Sequence, residues 1–283
     1  MISLTLDTLA HYCMADPQID LAEKDPLGVP TGDAYSADPA VRARKFSFGE
    51  AGMQPFPDDS APFEFVGRGE RELDTLIAIA PEILKSRRHY RFKDLAAAEK
   101  RYADPKSVKP THVPVVRANR MLTVVRKDAP ERCHYHAIFL AKRNFERVLP
   151  LLEGRDDISA EWLKIDDVPP MTIQNARFCK GLMLPGDLRE LAEPARKFAA
   201  YALPYLRPPG TLHESMLAIT QALNADYRVE VESCKKRIDI DYLWRLCAVA
   251  TARRHIPADA SRPFDEWLPY PLLSTGGESV EHS

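Results

Sequence analysis

The sequence predicts an α+β protein, and three observations support that class. Arg120–Arg126 is rich in β-branched and apolar residues and Cys133–Leu140 begins with an alternating pattern, so the two runs predict a hairpin joined by a turn-like linker at 127–132. Apolar residues recur at helical spacing on both sides of this hairpin. The N-terminal region is rich in proline, which removes a backbone donor and disfavours helix.

In chain order, the first predicted element is a short strand at Ser3–Leu6 within an otherwise irregular, partly extended region. Glu70–Lys85 carries apolar residues at helical spacing and predicts a helix, which Pro81 should kink. Phe92–Tyr102 predicts a second helix with a basic surface. The stretch 104–114 contains three prolines and predicts a loop.

The chain after the hairpin predicts mostly helix. Arg143–Leu152 places its apolar residues on one face, and Asn144 is the expected N-cap of that helix. Phe178–Leu184 predicts a further strand. Three more helices are expected at Asp187–Leu206, Leu212–Tyr227 and Lys236–His255.

These elements predict three parts of the chain. Residues 1–65 form an irregular Pro-rich segment, 66–210 an α+β core and 211–283 a helical C-terminal extension, with a disordered tail beyond Pro271. The chain has 283 residues, of which 45% are hydrophobic, so it is long enough to bury a substantial core.

Composition and motifs exclude several classes of protein. No apolar run approaches the ~20 residues of a membrane span, and Met1–Asp7 lacks the basic and apolar regions of a secretory signal, so we expect a cytoplasmic protein. The five cysteines are odd in number and contain no Cys-x-x-Cys pair, which argues against a disulfide framework and a thiolate zinc site. The sequence contains no phosphate loop, Gly-x-Gly-x-x-Gly, Gly-x-Ser-x-Gly or His-Glu-x-x-His motif.

The formal net charge of −2 conceals a basic block at Lys85–Arg147, where 17 Lys and Arg stand against six Asp and Glu. Such a block favours binding to a polyanion, because Lys and Arg release the counterions of a phosphate backbone. Aromatic residues interleaved with these charges are typical of a surface that stacks unpaired bases, so single-stranded nucleic acid is the expected partner. The alternative is a solvated surface that pairs with the acidic remainder of the chain. The residues expected to bind nucleic acid are Arg87, Arg88, Arg91, Lys93, Arg117, Arg120, Arg126, Lys127, Arg132, Lys142 and Arg143.

The most specific local motif is His134-Tyr135-His136 in the second strand of the hairpin. Residues i and i+2 of a strand lie on the same face, so both imidazoles can bind one divalent ion such as Mg²⁺ or Mn²⁺. A third ligand must come from elsewhere, and His112, His89 and Glu131 are the candidates. The alternative is a pair of hydrogen-bonded structural histidines.

A pair of tyrosines further along the chain is compatible with phosphodiester chemistry. Tyr201 and Tyr205 are one helical turn apart, on one face. A tyrosine hydroxyl beside a metal-polarised phosphate can attack it and form a covalent phosphotyrosine. The alternative is that both rings belong to an apolar core stripe.

Together, a hydrophobic strand with His-hydrophobic-His and a later helix with Tyr-x-x-x-Tyr resemble the HUH endonucleases, the rolling-circle replication initiators and their relaxase and transposase relatives. The resemblance spans Arg120–Arg207. It implies an α+β fold with a ferredoxin-like antiparallel sheet and flanking helices, a divalent metal ion, and nicking of single-stranded DNA. By match of motif, it implies that His134 and His136 are metal ligands, Tyr201 is the nucleophile and Tyr205 is a second tyrosine.

Two other functions fit the same sequence. A ferredoxin-like sheet with basic residues and aromatics also suits a non-catalytic subunit that binds single-stranded RNA or DNA, such as a component of a CRISPR ribonucleoprotein complex, or a metal-free RNA nuclease with a histidine as acid or base. A third possibility is an interaction protein whose C-terminal helices bind a protein partner through an anchor-rich face around Trp244.

Overall fold

The structure is a computed structural model that describes residues 4–15, 22–29, 31, 51–54, 63–92, 116–230 and 239–273. The chain divides into two compact units. Leu6–Val168 forms the sheet unit, and Pro169–Ser283 together with Met1–Thr5 forms the helical unit. The boundary between the units therefore falls inside the predicted 66–210 core.

The sheet unit contains six described strands and two described α-helices. They are β1 (Ala51–Gln54), β2 (Phe63–Val66), α1 (Arg68–Ala78), β3 (Ile83–Arg91), β4 (Arg117–Arg126), β5 (Ala129–Phe139), α2 (Lys142–Leu152) and β6 (Ile158–Trp162). Short 3-10 turns lie at Asp7–His11 and Ile165–Asp167. Strands β1 and β2 form an antiparallel pair of their own.

The main sheet has four strands in the order β3-β4-β5-β6. Strands β3, β4 and β5 are antiparallel neighbours, whereas β6 runs parallel to β5. A parallel pair needs a crossover of about a dozen residues or more, and α2 supplies it. The α+β class with flanking helices is confirmed. The prediction of a wholly antiparallel sheet is wrong, since the sheet is mixed, and a ferredoxin-like order is not confirmed by the described strands.

The hairpin predicted from the sequence is confirmed as β4 and β5. Arg126 pairs with Ala129, so the turn contains only residues 127 and 128 and is shorter than the predicted linker. The helix predicted at Arg143–Leu152 is confirmed as α2, but its N-cap is Ala141, which offers no side-chain acceptor, and not Asn144.

Two elements differ from the prediction near Pro81. The predicted helix at Glu70–Lys85 ends at Ala78, and Ile83 already begins β3. The turn between them is closed by the N–H of Ile83, which donates to the carbonyl of Ala80 at 3.3 Å. Proline in this stretch therefore ends the helix instead of kinking it.

Each face of the main sheet packs against different elements. The face toward α2 carries an apolar core that includes Met121, Tyr135, Phe139 and Val148. The opposite face carries His134, His136 and Arg120, because paired residues of neighbouring strands lie on one side of a sheet. Alternation in β5 thus places both histidines on the other face of the sheet, where they lie beside the buried Leu122, Val124 and Ile138.

The helical unit consists of α3 (Pro170–Leu182), α4 (Asp187–Glu190), α5 (Ala192–Ala202), α6 (Leu212–Glu230) and α7 (Ile240–Ala252). Its core includes Phe198, Met216, Leu246 and Val249. The strand predicted at Phe178–Leu184 is wrong, because α3 continues through Leu182 with Cys179 buried on its inner face. None of the helices in the described ranges is both long and apolar enough to cross a bilayer.

The C-terminal helices are confirmed, with other boundaries. The predicted Leu212–Tyr227 corresponds to α6, and α7 lies within the predicted Lys236–His255. The predicted Asp187–Leu206 is interrupted near Leu191, which divides it into α4 and α5. Of the helix predicted at Phe92–Tyr102 only Phe92 is described, and it is not helical. The rest of that helix, the loop at 104–114, most of the irregular region 1–65 and the tail after 273 lie outside the described residues.

Candidate functional site

The two histidines predicted from the alternating pattern lie side by side on one face of β5. His134 and His136 are 5% and 3% exposed. Strand β6 runs alongside, and the parallel register places Ser159 beside His136. Both rings contact this serine, so the expectation that alternation directs them to the same face is correct.

Ser159 is the centre of a hydrogen-bonded cluster. Its Oγ lies 2.7 Å from Nε2 of His134 and 2.7 Å from Nδ1 of His136. The other nitrogen of His134, Nδ1, lies 3.1 Å from the backbone carbonyl of Asp156. The other nitrogen of His136, Nε2, lies 3.3 Å from Oε2 of Glu161. We call these four side chains, with Tyr12, the histidine–serine cluster.

The carbonyl of Asp156 determines the tautomer of His134. A carbonyl can only accept, so Nδ1 of His134 carries the proton and its Nε2 accepts the hydroxyl proton of Ser159. A hydroxyl has one proton to donate. Nδ1 of His136 must therefore be the donor to the same oxygen, and Ser159 is held between one acceptor ring and one donor ring.

Tyr12 covers the cluster from the end of the 3-10 turn Asp7–His11. The N–H of Cys13 donates to the carbonyl of Val125 at 2.7 Å, which anchors this segment to β4. The Tyr12 hydroxyl lies 3.4 Å from Oγ of Ser159, and its ring stacks on that of His134 at a centroid distance of 5.9 Å.

Burial is the largest influence on the protonation of these groups. Desolvation raises the pKa of Tyr12 and lowers the pKa of His134, although the Asp156 carbonyl acts against this decrease in His134. The Tyr12 hydroxyl is therefore a proton donor at neutral pH, and the His134 ring is a neutral acceptor there.

Binding of a divalent metal ion by His134 and His136 stays a prediction, and the described residues supply no third ligand for it. The two nitrogens that face each other both hydrogen-bond Ser159, and the described residues contain no group of three His, Cys, Asp or Glu side chains arranged as ligands. The predicted third ligand His112 lies outside the described residues. Of its alternatives, His89 faces Glu70 on α1 and Glu131 is exposed near the hairpin turn.

The predicted tyrosines belong to the helical unit and the histidines to the sheet unit. Tyr201 and Tyr205 do share a face, with stacked rings whose centroids are 5.7 Å apart. Tyr201 packs against the apolar core of its unit, and Tyr205 follows the end of α5 with 36% of its surface exposed. The alternative expectation, that the tyrosine rings belong to an apolar core, therefore applies to Tyr201.

Two of the basic residues expected to bind nucleic acid are buried. Arg87 donates to Asp25 at 2.7 Å, and Arg120 forms a two-nitrogen ion pair with Asp74, with 2.6 Å between Nε and Oδ1. Arg87 and Arg120 are 1% and 2% exposed, so their guanidinium groups stabilise the fold and do not face a ligand. Lys93 lies outside the described residues.

The remaining basic residues lie at both ends of the main sheet. Near the hairpin turn, Arg126 pairs with Asp128 and Lys127 donates to the carbonyl of Ala10 at 2.6 Å. Arg132 is exposed near the same turn, and Arg88 is partly buried in the second half of β3.

The opposite end of the sheet gathers Arg91, Arg117, Lys142 and Arg143, which we call the basic sheet end. Arg91 at the end of β3 pairs with Arg117 at the start of β4. Helix α2 begins directly after β5 ends there, and the Asn144 side chain donates to the carbonyl of Arg117 at 3.5 Å. Among these residues, Arg91, Lys142 and Arg143 are exposed.

An exposed tryptophan belongs to the same sheet end. Trp162 is the last residue of β6 and pairs with Phe139, the last residue of β5. Trp162 is 38% exposed, and the centroid of its ring lies 5.3 Å from the ammonium group of Lys142. Lys142 also lies 3.6 Å from Glu146 on α2. A flat aromatic surface therefore adjoins the positive charges.

Three functional side chains could not be recognised in the sequence. Ser159 and Glu161 lie on β6, whose alternating sequence Ile-Ser-Ala-Glu-Trp is a strand signal of only five residues, and Tyr12 reaches the site from a 3-10 turn. Their spacing of two residues on β6 matches that of the histidines, but only the parallel pairing reveals it.

Comparisons with known proteins do not identify a family for this chain. A scan against protein-family models finds no match, and a search of curated proteins finds no significantly similar sequence. The resemblance to the HUH endonucleases therefore depends on the motif residues alone.

Proposed function

We propose that the protein binds single-stranded nucleic acid through the basic sheet end. The observation that carries this proposal is the start of α2, where Lys142 and Arg143 occupy the first turn of a helix without a side-chain cap or an acidic residue there. Arg91 and Arg117 lie at the same end of the sheet. Four cations and the N-terminus of α2 thus lie at the same end of the main sheet.

This arrangement conflicts with the ordinary requirements of a helix. The N-terminus of a helix carries partial positive charge, so basic residues in its first turn are unfavourable by a few tenths of a kcal/mol each. A phosphate group would compensate both the helix dipole and the side chains. Local choices that lower stability are expected at functional sites, and this conflict therefore favours an anion as the ligand.

Trp162 favours a single strand over a duplex. The faces of unpaired bases stack on exposed aromatic rings, whereas bases in a duplex are already stacked on each other. Lys142 adjoins this ring, so a phosphate on Lys142 and a stacked base on Trp162 can belong to one short stretch of strand.

Charge reversal at α2 tests the proposal. We expect Lys142→Glu with Arg143→Glu to weaken the binding of a labelled strand of about 20 nucleotides at least about tenfold in fluorescence anisotropy at moderate salt. The slope of log K against log salt should also decrease by about 0.7 for each phosphate that the protein no longer neutralises. Trp162→Ala should weaken binding by about 1–3 kcal/mol per stacked base and leave that slope unchanged.

The matched control is Arg196→Glu with Lys197→Glu on α5. This pair also lies beside a glutamate on an exposed helix surface, since Glu193 contacts both residues. The control changes the net charge of the protein equally. Equal loss of affinity in the two double variants would contradict the proposal, because it would indicate attraction by total charge alone.

Strand cleavage with a divalent ion and Tyr201 stays a prediction. The same strands, incubated with Mn²⁺ or with EDTA and separated on a denaturing gel, test it directly. A nick that requires Mn²⁺ and leaves a protein-linked end, and that Tyr201→Phe abolishes, is the expected result of that chemistry. Salt-sensitive binding without any nick supports a binding subunit without nuclease activity.

A further inference from the structure

We propose that Ser159 is the nucleophile of a metal-independent acyl-transfer site in which His134 is the general base. The substrate class is an uncharged carboxylic ester. This activity goes beyond nucleic-acid binding and uses the histidine–serine cluster, which contains none of the four cations of the basic sheet end. The predicted metal chemistry would use the same histidines but requires a divalent ion. The effect of EDTA therefore distinguishes the two mechanisms.

The contact between Ser159 and His134 has the geometry that a nucleophile and its base require. Oγ and Nε2 are 2.7 Å apart, within the range of about 2.6–3.2 Å for proton transfer. The Asp156 carbonyl holds the ring in the tautomer that leaves Nε2 free to accept a proton. A backbone carbonyl here performs the orienting role that a carboxylate has in the serine protease triad.

Two donors are available for the oxyanion of a tetrahedral intermediate. His136 donates to Oγ of Ser159 through Nδ1, and the hydroxyl of Tyr12 lies 3.4 Å from the same oxygen. The oxyanion forms on the substrate oxygen two bonds from Oγ, across the carbonyl carbon, so donors that now face Oγ are close to where negative charge develops. Glu161 lies 3.3 Å from Nε2 of His136, and because a carboxylate can only accept, His136 must carry a proton on both ring nitrogens to donate to Ser159 as well.

The position of Ser159 permits access, and its surroundings select the substrate. Strand β6 is the last strand at its side of the main sheet among the described strands, and Ser159 is partly exposed, as is Glu161 with 24% of its side chain. The carboxylate of Glu161 would repel an anionic phosphodiester at close range. An uncharged ester is not repelled by this carboxylate. Its carbonyl oxygen becomes negative only in the tetrahedral intermediate, where the two donors can stabilise it.

The reaction proceeds in two balanced steps. Oγ of Ser159 forms a bond to the carbonyl carbon as its proton moves to Nε2 of His134, and the intermediate collapses with cleavage of the ester C–O bond, while the leaving alcohol takes that proton. Water then attacks the acyl-serine and transfers a proton to Nε2. This proton returns to Oγ as the acid is released and the enzyme is restored.

Labelling with a fluorophosphonate tests the nucleophile without knowledge of the natural ester. The Oγ–P bond forms, the P–F bond breaks, fluoride leaves and His134 takes the proton. We expect the label on the tryptic peptide 156–164, which contains Ser159 as its only serine, in the presence of EDTA as well as in its absence. Ser261, whose hydroxyl donates to the carboxylate of Asp259 and not to a histidine, serves as an internal control and should stay unlabelled.

Two variants separate a catalytic role from a structural one. His134→Gln should slow labelling and the hydrolysis of p-nitrophenyl acetate by about 10²-fold or more, and Ser159→Ala should abolish both. Labelling of the native protein is measured first, so the test does not depend on whether the variants fold. An unlabelled 156–164 peptide in the native protein, or equal labelling after thermal unfolding, would overturn the proposal. Neither result would affect the salt-dependent binding measured at the basic sheet end.

Discussion

Replacing Asp25 by alanine is expected to lower the free energy of unfolding of the sheet unit by about 3–5 kcal/mol, the usual cost of breaking a buried ion pair on one side. Oδ2 of Asp25 accepts from Arg87 at 2.7 Å and from the hydroxyl of Tyr90 at 2.6 Å. Oδ1 accepts from the backbone N–H groups of Leu27 and Val29 at 2.9 and 3.0 Å. The side chains of the ion pair are at most 1% exposed, so the variant leaves a guanidinium charge buried without its carboxylate.

Urea denaturation followed by circular dichroism measures this effect as a decrease in the midpoint. Asp128→Ala is the matched control, since it removes a carboxylate from the exposed pair with Arg126 and should change the midpoint little. Asp25→Ala combined with Arg87→Met should recover part of the loss, because an apolar side chain needs no partner. The interpretation fails if Asp25→Ala unfolds at the same urea concentration as Asp128→Ala.

This ion pair also shows why β3 could not be predicted from the sequence. The strand contains Lys85, Arg87, Arg88 and Arg91, and this composition favoured a basic surface over a strand with two buried faces. Arg87 can be buried only because an acid 62 positions earlier in the chain pairs with it. A charge that is neutralised by a distant residue has no local pattern, whereas the hairpin β4–β5 depends on alternation and turn length and was predicted.

The segment Phe178–Leu184 shows a different failure, in which the local pattern was ambiguous. Its apolar residues also suit the last turns of a helix, and periodicity alone does not separate a short strand from a buried helix segment. One sequence signal favours helix, because Pro170 stands in the first turn of α3, where proline is preferred. The structure adds that Asn175, buried in the middle of this helix, donates to the carbonyl of Ala260 at 3.1 Å.

Two of the five side chains of the histidine–serine cluster could be predicted from local sequence. Placing His134 and His136 on one face requires only the two-residue period of a strand. Ser159 reaches them through a parallel crossover, and Tyr12 through a bridge to Arg126 more than 100 residues away. Such partners are set by the topology of the sheet, so the sequence could not show that a serine hydroxyl contacts both rings.

The stability of the sheet unit is expected to fall as the pH decreases from 6.5 toward 4, with His89 as a main cause. Burial lowers the pKa of His89 to about 4 from 6.5, and the nearby arginines act in the same direction. Nδ1 of this ring lies 3.8 Å from Oε1 of Glu70, which also accepts from Asn119 at 2.9 Å. The charged groups that influence His89 are Arg88, Arg117, Arg120, Asp74 and Glu70.

The sign of this change in stability with pH follows from the number of protons that the folded and unfolded states bind. Between pH 6.5 and 4 the unfolded chain protonates His89 and the folded protein does not, so protons favour the unfolded state and stability rises with pH across this window. A pKa difference of this size corresponds to roughly 3 kcal/mol, which we reduce to about 2 kcal/mol because solvent screens the partly exposed ring. The contribution is complete above pH 6.5 and lost near pH 4.

His89→Asn isolates this effect, because His89 has a φ of 49° and asparagine tolerates that left-handed conformation. The difference in free energy of unfolding between native protein and variant should be about 2 kcal/mol larger at pH 7 than near pH 4, since asparagine does not titrate. His11→Asn, at an exposed position in the same unit, is the matched control for replacing a histidine by asparagine and should change the free energy of unfolding little at pH 7. A difference for His89→Asn that stays constant with pH would show that the ring is protonated equally in the folded and unfolded states, and that burial beside the arginines does not exclude the proton.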